Sequence, residues 1–108
     1  MDCIFCKIIA GEIPSTKIAE TDELIVIKDI HPKAPIHYLI IPKKHTEDIR
    51  VWGEQELPLA GKMFILAQQL SKQQDNCAFR LVISNGYDAG QRVFHAHVHF
   101  LAGGKLHD

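Results

Sequence analysis

Three histidines alternate with apolar residues near the end of the chain, at His95, His97 and His99. Side chains of a β-strand project to opposite faces with a period of two, so a strand over Phe94–Leu101 predicts these three histidines on one face. The apolar residues on the other face can pack under a helix, and they are Phe94, Ala96, Val98 and Phe100. Three imidazoles on one surface indicate chemistry rather than a strand face that is merely polar.

Two kinds of chemistry use such a row. Neutral imidazole is a common ligand for zinc and related ions. It is also a nucleophile that attacks phosphorus while its neighbours donate hydrogen bonds to phosphoryl oxygens. The preceding loop favours phosphate, because Gly90 exposes backbone amides and Gln91 carries a neutral side-chain donor. The sequence has no Walker-type loop, dinucleotide fingerprint or obvious carboxylate trio for magnesium, so histidines would carry the phosphate chemistry.

Two of the three cysteines, Cys3 and Cys6, form a Cys-x-x-Cys pair near the start, and Cys77 is distant. This usage fits thiols or metal ligands in a reducing compartment better than a disulfide framework. A metal site is one interpretation, because zinc takes cysteine and histidine ligands. The alternative is a pair of reduced cysteines that cap the first helix, with Cys77 simply buried.

Helical and strand patterns alternate along the chain. Apolar residues at helical offsets predict a short helix over residues 4–10, ended by Gly11, and a long helix from Glu54 to about Gln74. Runs of β-branched and apolar residues predict five strands, which are Lys17–Glu20, Glu23–Lys28, Ile36–Ile41, Ala78–Ser84 and Phe94–Leu101. Strands before and after one long helix indicate an α+β domain with a largely antiparallel sheet.

Length and composition limit the classes of protein to which the chain can belong. A chain of 108 residues is expected to form a single domain, residues 1–108. The contents of 46% hydrophobic and 23% charged residues are ordinary for a soluble globular protein, and the formal net charge of -1 makes non-specific nucleic-acid binding unexpected. Asp2 and Lys7 interrupt the first ten residues, so we expect neither a secretory signal nor a membrane span, and a cytoplasmic location.

The segment His95-Ala96-His97-Val98-His99-Phe100-Leu101 resembles the histidine triad (HIT) motif. Other blocks resemble the same family in the expected order along nearly the whole chain, and they are Cys3-Ile4-Phe5-Cys6-Lys7-Ile8-Ile9, Ile13-Pro14, Asp29-Ile30, Ala34-Pro35-Ile36-His37, Ile41-Pro42-Lys43-Lys44-His45 and Ala89-Gly90-Gln91. The resemblance is greatest to the histidine triad nucleotide-binding branch, whose members hydrolyse nucleoside phosphoramidates and acyl-adenylates. It implies a HIT-like fold and a homodimer built around a continuous sheet.

The resemblance also implies a role for each site residue. The implied ligand is a purine nucleotide such as AMP or GMP, and His97 would attack the α-phosphorus of its phosphoramidate or adenylate and form a nucleotidyl-histidine intermediate. His99 and Gln91 would hydrogen-bond the phosphate, His37 would support them, and Asp29 would contact the ribose unless it is only a loop cap. The implied nucleotide contacts are Ile4, Phe5, Ile8, Ile27, Asp29, Ile30, Ser84, Asn85, Gly90, Gln91, Arg92 and Val93.

Two positions depart from the pattern of the phosphoramidase branch. Arg92 stands where a serine that assists the leaving group is often found, and Ser84 stands where an asparagine often contacts ribose, with Asn85 beside it. Because Arg92 can meet extra phosphate charge, dinucleoside polyphosphates are an alternative substrate. A further alternative is a regulatory nucleotide-binding protein whose hydrolysis is incidental.

Cys3, Cys6, His45 and His95 resemble the structural zinc site of some members of the superfamily. Such a site would use the first motif histidine and leave His97 and His99 for chemistry, so that catalysis itself would need no metal. A histidine-bound catalytic metal remains the alternative. His31 and His107 are unassigned, because loop and tail histidines are usually solvated.

Overall fold

The computed structural model describes residues 3–106, within which the chain forms two α-helices and five strands. The helices are α1 (Ile4–Ile9) and α2 (Pro58–Gln73), and the strands are β1 (Lys17–Glu20), β2 (Leu24–Lys28), β3 (Ile36–Pro42), β4 (Phe79–Val82) and β5 (Val98–Ala102). All neighbouring strands are antiparallel, in the order β1-β2-β3-β5-β4. The predicted α+β class, with one short and one long helix, is confirmed.

Helix α2 covers one face of the sheet. Its buried apolar residues recur at helical spacing, and they are Leu59, Met63, Leu66, Ala67 and Leu70. They pack against alternate residues of the central strands, including Ile40 and Phe100, both 0% exposed. This layer is the main hydrophobic core, and it fixes which face each residue of β5 presents.

Helix α1 lies on the opposite face, where the apolar layer is thinner. Cys3 caps the helix, since its Sγ accepts a hydrogen bond from the backbone N–H of Cys6 at 3.4 Å. Within the helix only Phe5 is buried. The residues that pack around it come mainly from β2 and β3, and they are Cys3, Ile25, Ile27, Leu39 and Ile41.

The predicted beginning of the long helix is wrong by about one turn. Helix α2 begins at Pro58 rather than at Glu54. A proline in the second turn would leave the carbonyl four residues earlier, that of Glu54, without its N–H partner and would clash with it. At the first helical position the missing N–H costs nothing, so the helix begins there.

The last predicted strand is also shorter at its start. Continuing the register of β3 with β5 would place Ala96 opposite Pro42, which has no N–H to donate, so β5 begins at Val98 rather than at Phe94. Ala96 donates its N–H to the carbonyl of Thr46 instead, at 2.8 Å. Phe94 is 42% exposed, and the expectation that it packs under the long helix is wrong.

Strand β4 ends at Val82 rather than at Ser84. The pairing with β5 explains this end. Val82 lies opposite His99, which is one residue from the beginning of β5, so little of β5 is left for later residues of β4 to pair with. His107 and the outermost residues of the predicted domain lie outside the described residues. Within residues 3–106, every helix is too short or too polar to cross a bilayer.

Candidate active site

The motif histidines gather with His37 on the α1 face. The centroids of the His97 and His99 rings lie 5.0 Å apart, and those of His37 and His99 lie 5.1 Å apart. The ring of His95 lies on the same face, 5.8 Å from that of Phe5. The expected common surface is therefore confirmed, although only His99 belongs to β5.

His97 has a defined tautomer. Its Nδ1 lies 2.7 Å from the carbonyl oxygen of His95, which can only accept, so Nδ1 donates the hydrogen bond and Nε2 carries the lone pair. No described residue bonds to Nε2, and the described part of the chain contains no buried side-chain nitrogen without a partner, so Nε2 opens to the cavity that His97 lines. Burial lowers the pKa of His97, which keeps the ring neutral at pH 7.

His37 and His99 form a second chain of defined tautomers. The backbone N–H of Lys33 donates to Nδ1 of His37 at 3.0 Å, so the proton of neutral His37 is on Nε2. That Nε2–H donates to Nδ1 of His99 at 2.8 Å and lies 3.3 Å from a carboxylate oxygen of Asp29. The proton of His99 is therefore on Nε2, where it can be donated to a phosphoryl oxygen in the cavity.

The pKa values of both rings support this chain. Burial, followed by the neighbouring His97 and His37, lowers the pKa of His99 to about 4. Burial also lowers the pKa of His37, although Asp29 opposes that shift. Asp29, His37 and His99 lie close enough to hold a cation. A cation on Nε2 of His37 would move the proton to Nδ1, facing the N–H of Lys33, so the contacts favour hydrogen bonding.

His37, His97 and His99 line a cavity of about 620 Å³, a volume in the range of small-molecule sites. Among the predicted nucleotide-contacting residues, those that line it are Ile4, Phe5, Ile8, Ile27, Asp29, Ile30, Ser84, Gly90, Gln91, Arg92 and Val93. The ring of Phe5 meets that of His97 edge-on, with centroids 5.1 Å apart. An apolar surface of the kind expected for a purine therefore adjoins the ring of His97.

The role expected for the side chain of Gln91 is wrong. Its Nε2 donates to the carbonyls of Glu47 at 2.7 Å and Val93 at 3.1 Å, and its Oε1 accepts from the N–H of Gly86 at 2.7 Å. Both amide hydrogens are used and the residue is 1% exposed, so this side chain cannot donate to phosphate. Gln91 instead holds the loop that carries Gly90, whose φ of 104° suits glycine.

Asn85, also expected to contact the nucleotide, does not line the cavity. Its Oδ1 accepts the backbone N–H of Ile49 at 3.0 Å, at the start of a short 3-10 helix, Ile49–Val51. Asp29 lines the cavity, as expected of a ribose contact. It also has the alternative role of a loop cap, since its Oδ1 accepts the N–H of His31 at 2.8 Å. A carboxylate has further lone pairs, so this cap leaves it able to accept ribose hydroxyls.

Arg92 is fixed at the edge of the cavity. Its guanidinium carbon lies 4.3 Å from the ring centre of Tyr87, and Nη1 donates to the carbonyls of Tyr87 and Gln91 at 2.9 and 3.0 Å. These partners are neutral, and no carboxylate within residues 3–106 pairs with it. Its charge is therefore available to an anion.

Several cavity residues were missed in the sequence, namely Ile13, Pro14, Ser15, Lys28, His31, Lys33, Leu39, Val82 and Leu101. Two of them carried a signal, because Leu39 and Leu101 each follow a site histidine by two residues and so share its face of the strand. Lys33 had no such signal. It reaches the cavity because the proline loop folds back to place its N–H on His37.

Cys3, Cys6, His45 and His95 form a separate cluster beside the cavity, with all four ligand atoms within 4.8 Å of one another. The Nδ1 of His95 lies 3.3 Å from the Sγ of Cys3, 3.6 Å from that of Cys6 and 3.1 Å from the Nδ1 of His45. The Sγ of Cys6 lies 3.4 Å from the Nδ1 of His45. Donor atoms of a tetrahedral zinc ion are roughly 3.3 to 3.8 Å apart for its usual bond lengths, so this donor set fits zinc.

Two further contacts fit a cation in this cluster. The Nε2–H of His95 donates to the carbonyl of Pro42 at 2.6 Å, which leaves Nδ1 unprotonated and directed at the sulfur atoms. Burial and the neighbouring Cys3 sulfur raise the pKa of Cys6, and a divalent cation between the sulfurs would offset both effects. Cys77 does not belong to the cluster.

Comparisons with known proteins agree with this geometry. The family described as "Scavenger mRNA decapping enzyme C-term binding" matches residues 2–106. Protein HitA of Neisseria gonorrhoeae is 40% identical over 101 residues, covering 93% of this chain and 94% of HitA. The solved structure of a histidine triad protein from Clostridium difficile is 40% identical with a TM-score of 0.94, covering 100% of this chain and 96% of that one. A HIT family hydrolase from Clostridium thermocellum is 37% identical with a TM-score of 0.93, covering 99% and 95%.

Proposed function

The chain belongs to the histidine triad family of nucleotide-binding hydrolases, and on that premise we propose that it cleaves purine nucleotides at the α-phosphate through a nucleotidyl-histidine intermediate. The substrates are nucleoside phosphoramidates or acyl- and aminoacyl-adenylates, which makes the protein a phosphoramidase-like hydrolase or transferase. AMP or GMP is the product. The observation that carries the proposal is the 2.7 Å hydrogen bond from Nδ1 of His97 to its own chain's His95 carbonyl.

This hydrogen bond prepares His97 for both steps of the reaction. In the first step the Nε2 lone pair forms a bond to the α-phosphorus while the bond from phosphorus to the leaving nitrogen or oxygen breaks. The leaving group departs with that electron pair and takes a proton from water. The modified ring is cationic, and the His95 carbonyl stabilises its charge through Nδ1–H. In the second step water bonds to phosphorus, the bond to Nε2 breaks, the monophosphate leaves and the water's proton passes to solvent.

Asp29, His37 and His99 position the phosphate. The chain of hydrogen bonds from Asp29 and Lys33 through His37 leaves one donor, Nε2–H of His99, for a phosphoryl oxygen. Because these groups are already oriented, little reorganisation is needed when charge develops on the oxygens. The Gln91 side chain does not share that role, and neither do the backbone N–H groups of Gly90 and Gln91, which donate to the carbonyls of Tyr87 and Gly86 at 3.0 and 3.1 Å.

We further propose that Cys3, Cys6, His45 and His95 hold a structural zinc ion. Bound there, zinc supplies a cross-link between the beginning of α1 and the segments before β5 and after β3, and no chemistry on the substrate. Free cysteines at these positions suit the reducing conditions of the cytoplasm.

A second candidate substrate class is the dinucleoside polyphosphates, and Arg92 favours it. Its guanidinium lies at the edge of the cavity without a carboxylate partner among the described residues, and Lys33 also lines the cavity. A leaving group with additional phosphates would meet these charges, whereas an amine would not. The choice between the two classes depends on the leaving group, because both use His97 in the same way.

We also propose that the protein is a homodimer with a continuous sheet. Strand β4 is an edge strand whose Phe79 and Val82 are 37% and 36% exposed, and Phe64 and Ile65 of α2 are 59% and 54% exposed. Pairing of two β4 edges would satisfy open backbone groups and cover these apolar side chains. Sedimentation of the protein at micromolar concentration should give twice the chain mass.

Mass spectrometry of the protein quenched during turnover of an adenosine phosphoramidate tests the proposed reaction. We expect an adenylyl adduct on the peptide that contains His97, absent when the substrate is omitted. The matched sample is His97→Gly, which should carry no adduct at any quench time. Turnover by the unmodified protein without a covalent adduct, under conditions where single-turnover kinetics require one to accumulate, contradicts the proposal.

A further inference from the structure

His95 belongs to two sites at once. Its side chain lies in the cysteine and histidine cluster, with Nδ1 3.3 Å from the Sγ of Cys3, while its backbone carbonyl accepts the hydrogen bond that fixes the nucleophile His97. One residue therefore joins the cluster to the reacting ring. It is 0% exposed, so both contacts are made inside the protein.

The sheet does not hold the His95 carbonyl in place. The ladder between β3 and β5 stops before Ala96, because Pro42 has no N–H, and the chain from residue 93 to 95 forms a bend. The segment is held by the N–H of Ala96 on Thr46 at 2.8 Å and by the His95 side chain on Pro42 at 2.6 Å. The Ala96 N–H belongs to the same planar peptide group as the His95 carbonyl, so the contact with Thr46 and the anchoring of the His95 ring together orient that carbonyl.

The cluster also anchors the other side of the cavity. Helix α1 has six residues, too few to be stable alone, and Cys3 and Cys6 tie its first turn to His95 and His45. Phe5 lies between these two cysteines in the chain and contacts the rings of His95 and His97. Ile4 and Ile8 on the same helix line the cavity where the purine is expected.

We propose that His95 is a positioning residue through which metal occupancy of the cluster and nucleotide binding at His97 are coupled. The proposal rests on the proposed function, because the nucleotide site is the one assigned there. With the four ligands held on one ion, α1 and the His95 carbonyl keep fixed positions. Without it, α1 and the His95 ring lose their common anchor, and the His95 carbonyl is held only through the contacts with Thr46 and Pro42. Thermodynamic linkage then requires that nucleotide tighten zinc by the same factor as zinc tightens nucleotide.

Zinc affinity measured by competition with a chromophoric chelator, with and without saturating AMP, tests the coupling. AMP is the expected product, so no turnover intervenes. We expect AMP to raise zinc affinity about tenfold, within the usual range for coupled sites, and zinc to raise AMP affinity by an equal factor in calorimetry. In parallel, ¹⁵N spectra should show His97 as the Nδ1–H tautomer with zinc and as a mixture after zinc is removed.

Cys6→Ser and Cys77→Ala provide matched variants, since Cys77 lies outside the cluster. Cys77→Ala should keep the tenfold effect, and Cys6→Ser should bind AMP with an affinity that no longer responds to zinc. If zinc-loaded protein binds AMP but its zinc affinity is unchanged by AMP, the coupling is overturned and the proposed function stands. If the protein takes up no zinc, the coupling and the proposed zinc site both fail, and the proposed hydrolysis at His97 stands. If zinc-loaded protein binds no AMP, the proposed function and the coupling both fail.

Discussion

On the α2 face of the sheet the buried side chains are apolar apart from Ser71, and the helix that covers them has sixteen residues. On the α1 face a helix of six residues leaves a cavity, and the buried groups include His37, His95 and His97. Strand β5 serves both faces, with Phe100 directed at the core and His99 at the cavity. One strand therefore contributes side chains both to the hydrophobic core and to the cavity.

The difference indicates how stability and chemistry are divided. Burial of polar rings is costly unless each polar atom has a partner, and on the α1 face the partners are carbonyls, other imidazoles and thiols. On the α2 face only Ser71 among the buried residues of the helix needs such a partner, the carbonyl of Cys77 at 2.7 Å, and this face supplies most of the hydrophobic stabilisation. Substitutions on the α2 face should therefore change stability, and substitutions on the α1 face should change chemistry and ligand affinity.

The largest expected effect is on turnover at His97. Because His97→Gly removes the proposed nucleophile, we expect kcat to fall by at least about 10³-fold, equivalent to ~4 kcal/mol in the barrier. AMP affinity should stay within a few-fold of the unmodified protein, because Phe5 and the other apolar cavity residues remain. The measurement is steady-state hydrolysis of an adenosine phosphoramidate beside AMP calorimetry.

Added imidazole sharpens this test. A free imidazole that enters the space left in His97→Gly should restore part of the turnover, whereas a regulatory binding protein with incidental hydrolysis would show no such rescue. Unchanged turnover in His97→Gly would contradict the nucleophilic role altogether.

The next effect separates the two faces directly. Phe100→Ala should lower the free energy of unfolding by about 3 to 5 kcal/mol, because a fully buried ring is lost from the α2 layer, with AMP affinity changed less than threefold. Phe5→Ala should cost less stability, because its layer is thinner and adjoins an open cavity, but should weaken AMP about tenfold. Urea unfolding measures the change in stability of each variant, and calorimetry measures its AMP affinity. Equal losses of AMP affinity in the two variants would break the comparison.

The sequence predicted the α2 face and the histidine row well, because both depend on local periodicity. The helical spacing of Leu59, Met63 and Leu66 and the alternation of His97 with Val98 and His99 are visible without tertiary contacts. The boundaries failed where a proline decided them. Pro58 sets the start of α2 within its own segment, whereas Pro42 ends a ladder whose other strand lies more than fifty residues away.

For two of the predicted site residues, Gln91 and Asn85, the sequence did not reveal which groups their side chains contact, and the reason is related. Gln91 and Asn85 have side chains suited to phosphate and ribose, but each is used by backbone groups of a distant segment, those of Glu47 and Ile49. Which partner a polar side chain takes depends on contacts between loops, and no spacing in one sequence reveals them. Asp29 was easier, because its cap on His31 is local and its place beside the cavity followed from the resemblance.

A smaller effect, on pH dependence, should also belong to the α1 face. The folded-state pKa of His99 is lowered from 6.5 to about 4, so between these values the unfolded chain binds a proton that the folded protein does not. Stability from this residue is complete above pH 6.5 and is lost as the pH falls toward 4. The free energy of unfolding should drop by up to about 1.4 kcal/mol per pH unit for this proton.

Denaturant unfolding of His99→Gln at the same series of pH values provides the comparison. Its slope between pH 6.5 and 4 should be shallower by about one proton, whatever its absolute stability. Both proteins are measured at one fixed zinc concentration, so that acid release of metal contributes equally. Parallel slopes would show that His99 does not titrate in this window.

The smallest effect is expected at the edge of the cavity, where we propose that Arg92 distinguishes leaving groups. Arg92→Ser should lower kcat/KM for a diadenosine polyphosphate by about tenfold, since one charge-assisted hydrogen bond is lost at a partly solvated position. The same variant should hydrolyse an adenosine phosphoramidate within about twofold of the unmodified rate, because an amine leaving group brings no extra phosphate. Arg50→Ser is a matched control, since Arg50 already pairs with Asp48 at 2.8 Å and does not line the cavity. An equal loss on both substrates in Arg92→Ser would mean that Arg92 supports the loop through Tyr87 and does not select the leaving group.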